Sequence, residues 1–335
     1  MTAGAADAEP RYSVVVPVYR NEGSIVQLTE RLATLAGELD GALEVVFVVD
    51  GSPDGSERIL AELLPGQPFS SRIVLHSRNF GSFAAIRTGL ERAGGQYVGV
   101  LAADLQEPPE LMTRFFASLR AGDADVVVGV RRGRQGDPFL SALGSRLFWG
   151  FYRRLVQREM PIGGVDVFAC SAAFARHLVA LEEANSSLVS LTLWLGFRRG
   201  TVEYDRQPRA HGRSAWTLRK KLKYLSDSIF SFTDLPIRLL LATGCIGVIS
   251  SLLIATVVLV ARVSGAIEVP GYAATMLVIS FFAALNLAGL GIVGAYVWRA
   301  FENTKDRPGA VVMAERTFPS SGSAQGAASS RWNSS

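Results

Sequence analysis

Four polar clusters each follow a short apolar run: Tyr19-Arg-Asn-Glu22, Asp50-Gly-Ser-Pro-Asp54, Arg78-Asn-Phe-Gly81 and Asp104-Leu-Gln106. Singly, each has a plain structural explanation. Asp50-Gly-Ser-Pro-Asp-Gly55 is good tight-turn chemistry, with Gly and Asp tolerating the required backbone. Asp104 precedes Pro108-Pro109-Glu110, where a helix starts, and a lone carboxylate there is able to cap that helix. Together the clusters offer carboxylates, amides and guanidinium groups to one ligand, provided the fold brings them to one place.

The elements that must do so alternate. Tyr12 to Tyr19 is apolar and β-branched, and from Glu22 to Leu39 apolar residues recur at helical spacing. The alternation continues with strands at Leu43–Val49, Arg72–His76, Tyr97–Ala102 and Val126–Val130, and helices at Ser56–Leu64, Phe83–Arg92 and Pro108–Leu119. Strand then helix, repeated, predicts an α/β fold with a mostly parallel, doubly wound sheet covered on both faces. Such sheets bind ligands beyond the carboxyl ends of their strands, so all four clusters are expected at one edge.

The second half is of another kind. Leu239 to Ala261 and Val269 to Trp298 contain no charged residue, and each is long enough to cross a hydrocarbon core as a helix. The short segment from Arg262 to Glu268 makes them a hairpin. Arg213, Arg219, Lys220, Lys221, Lys223 and Arg238 precede it and Arg299, Lys305 and Arg307 follow it, against Arg262 alone in the loop, which orients the large domain to the cytosol. Two amphipathic segments, Pro138–Arg158 and Trp216–Phe232, suit the membrane interface, the first serving equally as a core-covering helix. The net charge of +4 is concentrated beside the spans, which fits lipid headgroups or a lipid phosphate and argues against nucleic acid. Cys170 and Cys245 are isolated and support neither a disulfide framework nor a zinc site.

The expected organisation is a flexible N-terminus without a cleavable signal peptide (1–11), a cytosolic domain (12–210) and a juxtamembrane amphipathic segment (211–237). Transmembrane helices at 238–261 and 271–298 follow, joined by an extracytoplasmic loop (262–270), and then a Pro, Gly, Ser and Ala-rich disordered cytosolic tail (299–335). The protein is thus expected in the inner, plasma membrane as a multi-pass protein.

In order and with their spacing, Val15-Val-Pro-Val-Tyr19, Asp50-Gly-Ser-Pro-Asp54, Arg78-Asn-Phe-Gly81, Asp104-Leu-Gln106 with Pro108-Pro-Glu110, Asp166 after Gly163-Gly164, Arg209 with Gly212 and Ser214, and Leu235-Pro-Ile-Arg238 resemble family 2 glycosyltransferases. Within them the set resembles the polyprenyl-phosphate sugar transferases, the group of dolichyl-phosphate mannose synthase. The resemblance covers about Ser13 to Arg307 and implies a GT-A fold and inverting transfer of one sugar from a nucleotide-diphosphate sugar, UDP- or GDP-linked, to polyprenyl phosphate. Carried over by residue, Pro17, Tyr19 and Glu22 line the nucleotide pocket, Asp50 meets the base or ribose, and Asp104, with Gln106 beside it, holds Mg2+ or Mn2+ on the diphosphate. Asp166 lies near the acceptor, as general base or as an orienting group, and Arg209, Arg213 and Ser214 hold phosphates. A homo-oligomer is left open.

Two departures bear on this expectation. Val49 precedes Asp50 where many relatives have a second aspartate, and Ala102-Ala103-Asp104 stands where the metal motif is usually Asp-x-Asp. Ser82, Phe83 and Ala215 also replace charged residues common in relatives. A domain that has lost transfer activity and serves as a binding or scaffold subunit is the alternative. A processive polysaccharide synthase fits less well, since Gln-x-x-Arg-Trp is absent and two spans are few for a channel.

Overall fold

The computed structural model describes residues 11–132, 150, 152–154, 156, 159–161, 165, 167–181, 183, 187–207, 218–264, 271–305 and 307–321. The chain forms two units, one of residues 1–183, 187–218 and 307–335, the other of 184–186 and 219–306.

The first unit contains β1 (Tyr12–Val18), α1 (Ile25–Glu38), β2 (Leu43–Val49), α2 (Ser56–Leu63), β3 (Ser70–His76), α3 (Ser82–Arg92), β4 (Tyr97–Val100), α4 (Leu111–Arg120) and β5 (Val126–Arg131). These match the alternation read from the sequence to within a few residues at each end. β6 (Phe168–Ser171), α5 (Ala172–Ala180), α6 (Leu188–Trp194) and β7 (Arg199–Tyr204) follow. The sheet order is β7-β5-β6-β4-β1-β2-β3-β8, with β8 at Val312–Phe318.

The first four strands are parallel. β6 runs antiparallel to both β4 and β5, and β8 antiparallel to β3, so the sheet is mixed at its flanks. Every residue of β2 and all but one of β1 are buried, as a sheet covered on both faces requires. Leu28, Leu32 and Leu35 of α1 are fully buried at helical spacing, each such burial contributing about 1.5–3 kcal/mol. α3 packs so closely on β1 that a Cβ on Gly89 would lie 2.1 Å from Cγ1 of Val15.

The strand order reverses between β1 and β4. The chain adds β2 and β3 on one side of β1, then crosses to place β4 on the other. The carboxyl ends of β1 and β4 therefore flank a topological switch point, where doubly wound sheets open a crevice.

The second unit contains α7 (Leu218–Phe232), α8 (Leu235–Val263) and α9 (Tyr272–Thr304). Leu235–Ile254 and Phe281–Thr304 are long and apolar enough to cross a membrane, with mean hydropathies of 2.1 and 1.7. Large apolar side chains such as Leu253 and Leu287 face outward along both, as a lipid-facing surface would have them. α7 is tied to α9 by Arg299, which pairs with Asp227 at 2.8 Å and stacks over Phe230 at 5.0 Å.

One expectation is corrected. The chain from 299 onward is not a disordered tail as far as residue 321, because α9 runs to Thr304 and Val312–Phe318 forms β8 on the free edge of β3. An uncovered edge of β3 would leave a row of unpaired backbone groups, and β8 satisfies them.

Candidate active site

Parallel pairing of β1 through β4 brings the four polar clusters to one edge, and the hydrogen bonds lace them together. The amide of Arg20 donates to Oγ of Ser52 at 2.7 Å, that of Asn21 to Oγ of Ser56 at 3.2 Å, and that of Glu22 to Oδ2 of Asp54 at 3.1 Å. In return Oε2 of Glu22 accepts from the Gly55 amide at 2.9 Å, at the start of α2. Oγ of Ser24 donates to the carbonyl of Ala103 at 2.7 Å, joining the first cluster to the fourth.

Burial works to raise the pKa of Asp54. The hydroxyls of Ser52 and Ser56 and the amides of Glu22 and Ser56 outweigh it and hold the carboxyl below its ordinary range. A depressed carboxyl stabilises the fold above its unfolded pKa, and that contribution is lost as pH falls through the folded value.

Asp50, the residue expected to meet the base or ribose, is buried at the end of β2. Its side chain is 3% exposed. Oδ1 accepts from the Phe80 amide at 2.8 Å and lies 2.8 Å from Nδ1 of His76, while Oδ2 accepts from the Gly81 amide at 2.7 Å. Nε2 of His76 is 3.0 Å from the Thr88 hydroxyl. Both carboxylate oxygens are thus taken up in hanging the 78–81 loop on the end of β2. Gly51 makes this possible: at φ +57° a Cβ would lie 2.4 Å from the Arg78 carbonyl carbon.

Asp104 follows β4. Its Oδ1 accepts from the Gln106 amide at 3.3 Å, and Leu105 between them adopts a left-handed φ of 58°. Such a backbone costs a β-carbon-bearing residue about 1–2 kcal/mol and persists only where surroundings enforce it. They do. Leu105 is buried, Gln106 accepts from Arg206 at its Oε1 (2.5 Å), and the Gln106 carbonyl accepts from the Gln207 amide at 2.9 Å. Arg206 also lies 3.4 Å from Oε1 of Glu107.

Of the other expected residues, Pro17 pairs with Val48 inside the sheet, and Tyr19 is exposed beside the Arg20 guanidinium. Asp166, Arg209, Arg213 and Ser214 lie outside the described residues. Arg206 and His76 were missed. Arg206 shares a basic stretch with the expected Arg209, but its partner is a hundred residues away. Arg206→Met is expected to lower stability by about 1–2 kcal/mol, discounted for solvent access to the guanidinium, as read by thermal unfolding; an unchanged midpoint would show that the 104–107 turn holds itself.

Among the described residues no three His, Cys, Asp or Glu side chains gather to hold a metal. Asp104 alone, with Ala102 two residues before it, suits a hard cation that brings phosphate oxygens and water as its other ligands, and does not suit one bound in advance. Cys170 is buried in β6, where burial pushes its thiol pKa up and keeps it protonated.

A strand-order reversal edged by polar loops marks an α/β fold of the ligand-binding kind. The sequence comparisons give the family. The family model described as "Glycosyl transferase family 2" matches residues 13–180, and the chain belongs to that family of glycosyltransferases. An "Uncharacterized glycosyltransferase sll0501" of Synechocystis is 31% identical over 88% of this chain and 92% of its own length. A protein of Aeromonas hydrophila described as "Undecaprenyl-phosphate 4-deoxy-4-formamido-L-arabinose transferase" is 31% identical over 88% of this chain and 91% of its own. Among solved structures, glucosyl-3-phosphoglycerate synthase from Mycobacterium tuberculosis with Mn2+ and UDP aligns over 66% of this chain and 77% of that one, at 16% identity and a TM-score of 0.43. The assignment rests on the sequence match.

Proposed function

We propose that the chain moves one sugar from a nucleotide-diphosphate sugar to polyprenyl phosphate at the cytosolic face of the plasma membrane, with inversion at the anomeric carbon. The observation that carries this reading is Asp104 at the β1/β4 switch point of a glycosyltransferase domain whose chain continues into two apolar helices. The Aeromonas relative, described as acting on an undecaprenyl-phosphate acceptor, supports the choice of lipid.

The residues divide the work by position. Pro17, Tyr19 and Glu22 border the nucleotide, and Asp50 acts from beneath by holding Arg78 and Asn79 at the crevice. Asp104, supported by Gln106 and Arg206, carries Mg2+ or Mn2+. When bound, the cation supplies neutralisation of the charge that grows on the departing nucleotide diphosphate. A lipid phosphate is already an anion at neutral pH, so Asp166 orients sugar and acceptor more than it removes a proton. Arg209, Arg213 and Ser214 grip phosphate oxygens.

Connectivity supports this membrane topology. β7, before α7, and β8, after α9, are strands of one sheet, which cannot straddle a bilayer; that supports an even number of crossings between them. Lys and Arg flanking the spans support a cytosolic place for the unit that holds this sheet. Ala102 favours one second reading, a transfer-inactive scaffold subunit.

Purified full-length protein with Mn2+, a polyprenyl phosphate and a panel of radiolabelled nucleotide sugars is expected to yield a lipid carrying a single sugar. No product from any donor would favour the scaffold, and long chains would favour a processive synthase.

A further inference from the structure

The turn between β2 and α2 does more than end a strand, because one carboxylate in it organises the segment that follows β1. Three successive amides of that segment each find a different acceptor in the turn. Arg20 donates to Oγ of Ser52 at 2.7 Å, Asn21 to Oγ of Ser56 at 3.2 Å and Glu22 to Oδ2 of Asp54 at 3.1 Å. The two hydroxyls converge on Asp54 in their turn. Ser52 donates to Oδ1 at 2.6 Å, and Ser56 donates to the same carboxylate from its hydroxyl and, at 3.2 Å, from its amide.

The protons fix the direction of every bond. An ionised carboxylate only accepts, so each serine turns its hydroxyl proton to Asp54 and its lone pairs to the amide. Burial opposes the charge of Asp54, but these donors outweigh it and keep the group ionised. Asp54 therefore holds the Glu22 amide directly and the Arg20 and Asn21 amides at one remove.

What is held is a strained turn. Arg20 adopts a left-handed φ of 58°, which a residue with a β-carbon keeps only where its surroundings enforce it. Oδ1 of Asn21 accepts from the Tyr19 amide at 2.9 Å, and the Asn21 carbonyl accepts from the amides of Ser24 and Ile25 at the start of α1. The hydroxyl of Ser24 reaches the carbonyl of Ala103, the neighbour of Asp104. The 19–22 segment thus stands at the carboxyl end of β1, on one side of the strand-order reversal, with Tyr19 exposed. All four of its amides are spent within the protein, so any donor it offers a nucleoside diphosphate is a side chain.

We propose that Asp54 is a positioning residue for the donor site: through Ser52 and Ser56 it keeps the Tyr19-Arg-Asn-Glu22 segment in the left-handed shape that receives a nucleoside diphosphate. The identity of the ligand rests on the proposed function, while the hold on the segment stands on the hydrogen bonds alone.

The test uses full-length protein in detergent, with UDP and GDP, each with Mn2+, as probes. Asp54→Asn keeps the size of the side chain, removes its charge and replaces one acceptor oxygen by a donor. Hydrogen exchange at the amides of Arg20, Asn21 and Glu22 is expected to quicken about tenfold, while amides of β1 and β2 stay protected. Whichever nucleotide binds the unaltered chain should bind the variant about tenfold more weakly. The donor KM should rise to match, with turnover at saturating donor and the KM for polyprenyl phosphate within about twofold of the parent. Ser52→Ala frees the Arg20 amide alone and should give a smaller loss of the same kind, about threefold; it carries the test if Asp54→Asn does not fold. Unchanged exchange at 20–22 would overturn the proposal, as would faster exchange there with nucleotide affinity intact. A general loosening of the sheet, with donor and acceptor terms falling together, would overturn it too. If the unaltered chain binds neither nucleotide, the proposed function fails, and the exchange result still decides whether Asp54 holds the segment.

Discussion

Asp104→Asn is expected to reduce sugar transfer by about 10²–10³-fold, the scale of removing one electrostatic group aimed at the developing charge of a transition state. The substitution is nearly isosteric, and the hydrogen bond from the Gln106 amide to Oδ1 is open to an asparagine oxygen as well. Folding should be preserved, with a melting point within a few degrees of the parent. The loss should be steep because Ala102 offers no second carboxylate to keep the cation in place. The same logic gives a gain: Ala102→Asp should let the protein bind Mn2+ without nucleotide, seen as loss of the free-ion electron paramagnetic resonance signal, whereas the parent should retain Mn2+ only when UDP or GDP is present. Turnover within threefold of the parent for Asp104→Asn would remove the metal from this residue.

Asp50→Ala should act through the fold. It orphans the amides of Phe80 and Gly81 and the imidazole of His76 in a site where the carboxylate is 3% exposed. Each unsatisfied buried donor costs about 1–3 kcal/mol, so a combined loss of about 3–5 kcal/mol is expected after partial relaxation. Tryptophan-monitored unfolding should show a marked drop in midpoint, accompanied by loss of nucleotide affinity as the loop detaches. His76→Ala should cost less, and the double variant should cost less than the sum, because both side chains serve one network. A variant that melts like the parent yet binds no nucleotide would reverse the assignment and return Asp50 to the base or ribose.

These two aspartates show how much of the site is legible in the sequence. Both end apolar strands, and that position was enough to predict that they share the carboxyl edge of the sheet. Their roles differ because of neighbours distant in sequence. Asp50 turns inward because Gly51 lets the backbone of Arg78 approach and because His76 stands behind it. Asp104 stays at the crevice because Leu105 is held in a left-handed turn by Gln106, Arg206 and Gln207, the last two arriving from β7.

The sequence by itself determined the alternating first half, since runs such as Leu43–Val49 and the Leu28, Leu32, Leu35 spacing of α1 are local signals of elements buried on known faces. It also determined the two apolar helices, because the absence of charge over a membrane-length stretch needs no tertiary context. Only the tertiary structure decided that Val312–Phe318 is a strand and that Glu315 reaches Arg72 and Arg92. The segment carries weak local preference and follows two long helices. Its order comes from pairing with an edge that the chain laid down more than two hundred residues earlier, as the separation of 243 between Arg72 and Glu315 records. Local patterning can announce an element that stabilises itself through its own periodicity, but not one whose stability resides in a distant partner.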